Sequence, residues 1–279
     1  MPLAQLTDRA VVRIAGPDAA TLLHNVLTLD MKRVEAHGSG YGALLTPQGK
    51  ILWDFILHKE TDRYAADLRA DQAETFARRL ALYRLRAKVE IAPAPELAVF
   101  VQWPGASDRA ADPRLPELGS RVVAPAHSLA AESSAADWHR HRIALAVPEG
   151  GVDFVFGDTF PHDAAMDSLR GVDFEKGCYV GQEVVSRMRH RGTARRRVVS
   201  LASRGPLPDP GVAIMADGQS VGRLGSSAAG VAIGIARLDR VREALDKRAS
   251  IRAGEAELTV SLPSWATYTW PAIAGVEDV

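Results

Sequence analysis

The sequence predicts an α+β protein that ends in a small antiparallel β unit. Three observations predict it. Apolar runs with strand and helix periodicity alternate through the first half. After residue 195 the runs become short and strand-like, separated by Gly, Pro, Asp and Ser. The texture changes between 194 and 200, which divides the chain into 1–195 and 196–279. At 279 residues, 47% of them hydrophobic, two or three compact units are expected.

Residues 9 to 15 (RAVVRIA) read as a short strand, rich in β-branched residues. In GPDAATLLHNVLT, Pro17 suits a first helical turn, and Ala19, Leu22, Leu23, Val26 and Leu27 recur at helical spacing. GYGALLT and ILWDFILH flank Pro47-Gln48-Gly49-Lys50, the pattern of a β-hairpin. Residues 71 to 86 read as a helix, and KVEIA and LAVFVQW as strands. The Pro-, Ala-, Ser- and Asp-rich stretch from 103 to 137 reads as loops with a few short elements. RRRVVSLA, VAIMADG, QSVGRLGSS, GVAIGIARL, ASIRA and AELTVSL then supply the strands of a small barrel or sandwich.

Composition excludes several classes. Lys plus Arg equal Asp plus Glu at 34 each, so no global field draws the chain to nucleic acid or to a membrane surface. The start lacks a basic region leading into an apolar run, and no apolar stretch approaches the roughly 20 residues of a spanning helix. The expectation is a cytoplasmic protein, or one of the mitochondrial matrix in a eukaryote. A single cysteine builds no intrachain disulfide framework.

That cysteine, Cys178, sits in KGCYVGQE between Gly177 and Gly181. The two glycines let the backbone turn sharply and approach a ligand. A helix is expected from Gln182, and its first turn would carry unpaired N–H groups and positive dipole potential. With Lys176 near, the thiol could be a reactive thiolate. The alternative is a cysteine packed as a small hydrophobe. His162 and His190 are the candidate bases, although neither spacing shows contact. One cysteine cannot hold a four-thiolate cluster, but it can lend one ligand to a shared one. The basic run RMRHRGTARRR, 187 to 197, lacks the aromatics that stack bases, so an anionic small-molecule tail suits it better than a duplex. Asp153, Asp158, Asp163 and Asp167 with His162 match no metal-loop spacing, and turn and capping roles are expected for them. No Walker loop, Rossmann fingerprint or GxSxG elbow is present.

The octapeptide 176 to 183, followed by Arg187 and Arg191-Gly192, resembles the signature of the YgfZ-type folate-binding proteins. These are relatives of the glycine-cleavage T-protein, an aminomethyltransferase, and their eukaryotic counterparts act in mitochondrial iron–sulfur assembly. LLHNVLTLD, ALLTPQGKILWDFIL, HRIALAVPEGG and residues 195 to 265 extend the resemblance through nearly the whole chain. It implies two intertwined α+β subdomains and a C-terminal β-barrel around a central cavity that takes tetrahydrofolate or a derivative. It also implies iron–sulfur client or assembly proteins as partners. Cys178 inherits the role of functional thiol, with Lys176 beside it; Trp53, Asp54, Tyr179, Gln182, Glu183 and Arg187 become the candidate folate-site residues. Two positions depart from the pattern. Trp53-Asp54 stands where T-protein-like sequences carry two acids, and Ala144 where a glutamate often holds the pterin. The first departure weakens an aminomethyl or one-carbon transferase reading against an accessory factor. A folate-binding module with a structural cysteine is the third reading.

Overall fold

The computed structural model describes residues 1–104, 109–192 and 194–272. It is built from three antiparallel sheets. The first contains β2 (Arg9–Ala15), β3 (Ser39–Leu45), β4 (Ile51–Lys59), β5 (Arg63–Arg69) and β6 (Glu90–Pro93), in the order β3-β4-β5-β2-β6. The second is small, β1 (Leu3–Gln5), β7 (Leu97–Gln102) and β8 (Ser120–Pro125), in the order β1-β7-β8. The third has seven strands and forms an almost closed barrel. Its strands are β9 (Arg196–Ala202), β10 (Ala213–Ala216), β11 (Gln219–Ala228), β12 (Val231–Arg237), β13 (Ile251–Ala253), β14 (Ala256–Glu257) and β15 (Thr259–Ser261). The strand at 9 to 15 and the hairpin about Pro47-Gly49 stand where the periodicity puts them.

Side-chain alternation along the five-stranded sheet separates two cores. On one face Val12, Ile14, Phe55, Leu57, Ala66 and Leu68 pack under three helices, α1 (Ala19–Val26), α2 (Met31–His37) and α3 (Ala73–Arg84). Pro17 precedes α1 rather than opening it, because Asp18 is the N-cap residue. On the other face Val11, Tyr41, Ala43, Ile56 and Ala65 meet the small sheet and Trp138 of α4 (Ala135–Ala144). Helix α4 is fixed at its start by a reciprocal cap between Ser134 and Asp137. The short elements expected within 103 to 137 include β8 and the start of α4.

Between α4 and α5 (Gln182–Arg191) the chain forms no named helix or strand, yet Ala164, Ala165, Met166 and Leu169 are fully buried. This strap, with Phe154 and Val172, is part of the core that the small sheet shares. Helix α6 (Leu238–Asp246) covers the barrel through Leu238, Val241 and Ala244.

Candidate functional site

Charged residues of the five-stranded sheet gather on the face that meets the small sheet. Arg9, Asp54, His58 and Asp67 alternate with Phe55, Leu57, Ala66 and Leu68, which face the helices. Trp53 and Asp54 therefore point to opposite faces and do not form one site. Trp53 packs edge-on to Phe76, with ring centroids 5.9 Å apart, and its Nε1 donates to Gln72 Oε1 at 3.2 Å. Asp54 is buried, and its Oδ2 accepts from the Tyr41 hydroxyl at 3.0 Å. Its Oδ1 has no hydrogen-bond partner among the described residues and lies against Gly150, where a Cβ would come within 2.3 Å. Burial raises the Asp54 carboxyl above the ordinary range although Arg9 opposes it.

From Arg9 an ionic chain crosses the molecule. Arg9 Nε donates to Asp67 Oδ1 at 2.7 Å, and Arg121 of β8 donates to Asp67 Oδ2 at 2.6 Å. Arg9 Nη1 reaches Glu149 Oε1 at 2.8 Å, and Arg142 Nε lies 3.6 Å from Glu149 Oε2. Arg142 Nη1 then donates to Asp153 Oδ2 at 2.7 Å, and its Nη2 to Ser226 Oγ of the barrel at 3.0 Å. Burial alone would raise Asp67, but Arg121 and Arg9 hold it well below the usual carboxylate range. Glu149 is held down by Arg9 and Arg142 against the same burial. Ala144, the departure from the expected glutamate, is exposed, and the buried acid of that segment is Glu149. Asp8, His139 and Glu149 are the one His-and-acid group close enough to share an ion among the described residues. Arg9 and Arg142 already neutralise its buried member.

A cleft of about 630 Å³ opens between α2, β3 and the strap, with Leu29, Arg33, Tyr41, Asp112, Arg170 and Asp173 in its wall. Its size is that of a small-molecule site. Asp173 ties it to the signature loop, since its Oδ1 accepts from the backbone N–H groups of Glu175 and Lys176. Sequence reasoning missed Tyr41, Arg9, Asp67 and Glu149. The available signal was a charge inside an apolar strand pattern, as in RAVVRIA and RYAADLR.

The loop itself is pinned on both sides of its cysteine. Lys176 is buried, and its ammonium donates to the carbonyl oxygens of Leu27 at 2.6 Å, Leu29 at 3.1 Å and His24. Burial lowers it to about 8. Lys176 thus clasps the loop to the end of α1. Tyr179 is buried, 5.1 Å from the Lys176 ammonium at its ring centroid, and burial pushes its hydroxyl up to about 12. Gly181, at φ +81°, packs on the hairpin turn, where a Cβ would come 2.5 Å from the Thr46 carbonyl oxygen. Between these anchors Cys178 is exposed, so it does not pack as a small hydrophobe. Among the described residues neither His162 nor His190 hydrogen-bonds it. Glu183 and Arg187 pair with each other at 2.5 Å across one turn of α5, on its solvent side. Neither they nor the half-buried Gln182 line the 630 Å³ cleft.

The four aspartates of the strap pair with cations, and two of them also take backbone N–H groups as expected of turn and capping residues: Asp153 Oδ2 accepts from Glu149 N at 2.8 Å, and Asp163 from the backbone of Phe160. Asp158 meets Lys50 at 3.0 Å, Asp163 meets Arg196 at 3.0 Å, and Asp167 holds Arg197 at 2.7 Å, with Asp153 on Arg142.

Comparison with known proteins gives three findings. Residues 195–268 match the family model described as CAF17, C-terminal beta-barrel domain. The human mitochondrial iron-sulfur cluster assembly factor IBA57 is 30% identical over 97% of this chain and 85% of its own length. The Neurospora crassa homolog is 30% identical over 71% of this chain and 52% of that protein. Among solved structures, the glycine cleavage system aminomethyltransferase T from Bartonella henselae superposes with a TM-score of 0.72. It covers 94% of this chain and 85% of its own at 19% identity, a likeness of fold.

Proposed function

This chain belongs to the family of IBA57 iron-sulfur cluster assembly factors, and from that membership we propose that Cys178 is the thiol through which it acts. Iron–sulfur cluster assembly is the coarse function that the relatives support. The observation that carries the finer reading is the setting of Cys178. It is exposed while Lys176 and Tyr179, on either side of it, are buried. The backbone that presents the thiol is therefore held before any partner arrives, which spares ordering entropy on binding. One thiolate supplies one ligand to a cluster shared with a partner protein that provides the rest.

Tetrahydrofolate, or a derivative, is proposed for the cleft beside Tyr41. The cleft has the required size, an aromatic wall, and a tyrosine backed by a buried carboxylate with a free oxygen. Arg33 and Arg170 on its rim would hold the carboxylates of the tail. The bound folate would supply one-carbon chemistry, whereas Tyr41 and the rim arginines bind and orient it. Asp173 lies five residues before Cys178, so the thiol is within about 17 Å of the cleft wall along the chain.

Two measurements separate these readings. Cys178→Ala should fold normally and fail to restore iron–sulfur enzyme activity in a null strain; full complementation would sink the thiol reading. Anaerobic titration with tetrahydrofolate should show binding in both proteins, lost in Tyr41→Ala. Absence of binding by the wild-type protein would remove folate and leave the thiol reading standing.

A further inference from the structure

A second cleft, of about 600 Å³, lies where the end of α5 meets the barrel, and it shares no wall residue with the cleft at Tyr41. His162 is in its wall with 2% of its surface exposed, and neither ring nitrogen has a hydrogen-bond partner among the described residues. A buried polar ring without a partner costs free energy unless something else satisfies it. Most imidazoles in such a position are matched to a backbone carbonyl or a carboxylate. Here the wall carboxylate whose charge acts on it, Asp167, is held at two points by Arg197, at 2.8 and 2.7 Å.

Charge in this cleft is unbalanced. Arg197 is neutralised by Asp167, and Asp239 is taken by Arg237 at 2.6 Å. Arg195 acts on Asp239 through space but makes no close pair with it, and Arg189 has no acid partner among the described residues, so the two supply the excess positive charge of the wall. The Arg189 guanidinium lies 4.1 Å above the Phe174 ring, and that ring is 5.9 Å from the His162 ring. Both arginines come from the basic run that ends α5, which iron–sulfur assembly and folate binding leave without a task. Met188, Leu238 and Tyr268 supply the apolar part of the wall.

We propose that this cleft is a binding site for a small organic oxyanion, its phosphate or carboxylate held by Arg189 and Arg195 and by an N–H of His162. A fixed fork of N–H donors matches either group, and the apolar wall selects a ligand with a carbon body over a bare ion. The site rests on this cleft alone and is independent of folate at Tyr41.

The test uses the full chain, isotope-labelled at histidine, titrated with inorganic phosphate, phenyl phosphate and succinate. His162 ring resonances report occupancy. The expected result is a saturable shift at His162, tighter for phenyl phosphate than for inorganic phosphate. Arg189→Gln and Arg195→Gln should each weaken binding by roughly tenfold. Both arginines are exposed, so these variants should fold even where a change at His162 would not. A response to phenyl phosphate alone assigns a phosphate ester, and one to succinate alone assigns a carboxylate. No shift at His162 with any of the three, or a shift unchanged in the double arginine variant, overturns the proposal.

Discussion

The ionic chain from Asp67 to Ser226 and the loop from Lys176 to Glu183 use polar groups in opposite ways. In the first, three acids and three arginines are removed from water and bind each other, so that the five-stranded sheet, the small sheet and the barrel share one network. In the second, Lys176 and Tyr179 are buried to hold up a thiol that stays in solvent. The residues with the strongest contacts position the molecule, and the residue with almost none is the one we propose as the chemical handle. Stability and function should therefore separate cleanly between the two regions.

The largest effect is expected from removing one member of the buried network. Asp67→Asn leaves Arg9 and Arg121 with a neutral partner in a fully buried place. Loss of one partner from a buried pair costs about 3–5 kcal/mol. Chemical denaturation should show that loss, and a change below about 1 kcal/mol would mean that water reaches the network. Replacing Asp67 together with Arg9 and Arg121 by apolar residues of similar shape should cost less than the single change.

Acid should attack the same region. Asp67 and Glu149 have folded pKa values below their ordinary values of 3.8 and 4.5. A depressed carboxylate contributes stability above its unfolded pKa, and the contribution is lost as pH falls through the folded one. Stability should thus be full above about pH 5 and fall steadily below pH 4. Glu149→Gln should flatten that acid limb, as read from unfolding midpoints at successive pH values. An unchanged limb would show that Glu149 is not coupled to folding.

How much of this was legible follows from the kind of signal each element carries. The strand at 9 to 15, the hairpin about Gly49 and the helix from Gln182 were legible because periodicity and turn residues are local. Helix α6 was missed because LDRVREALD carries its three buried positions among charges, directly after a strand. The strap was illegible for another reason: its Ala164 to Leu169 core is fixed by partners far away in sequence and not by any repeat. In the candidate site, Cys178 stood out by composition. What could not be read was that Lys176 turns to the carbonyls at the end of α1, 147 to 152 residues away in the chain. That Trp53 and Asp54 face apart, by contrast, follows from alternation along the strand that the hairpin pattern predicts.

A smaller effect is expected where the loop meets the hairpin. Gly181 is in the left-handed region, and a Cβ would press on Thr46 O and on Gly49 Cα at 3.0 Å. Gly181→Ala should cost about 1–3 kcal/mol through backbone strain and lower activity by displacing the start of α5. If stability falls with activity intact, the presentation of the thiol does not depend on this anchor.

The smallest effect on stability should come from the residue for which we propose the largest effect on function. Cys178 is exposed and makes no hydrogen bond among the described residues, so Cys178→Ser should change stability by no more than about 0.5 kcal/mol. The same change replaces a soft ligand and nucleophile by a hard, feebly acidic hydroxyl. Iron–sulfur enzyme activity in a complemented null strain should then fall to the level of the empty vector, with the unfolding midpoint unmoved. A midpoint shifted as far as in Asp67→Asn would make Cys178 part of the scaffold and erase the division between the two regions. Retained activity would move the function elsewhere, and the cleft beside Tyr41, five residues up the chain from the thiol at Asp173, would be the next place to mutate.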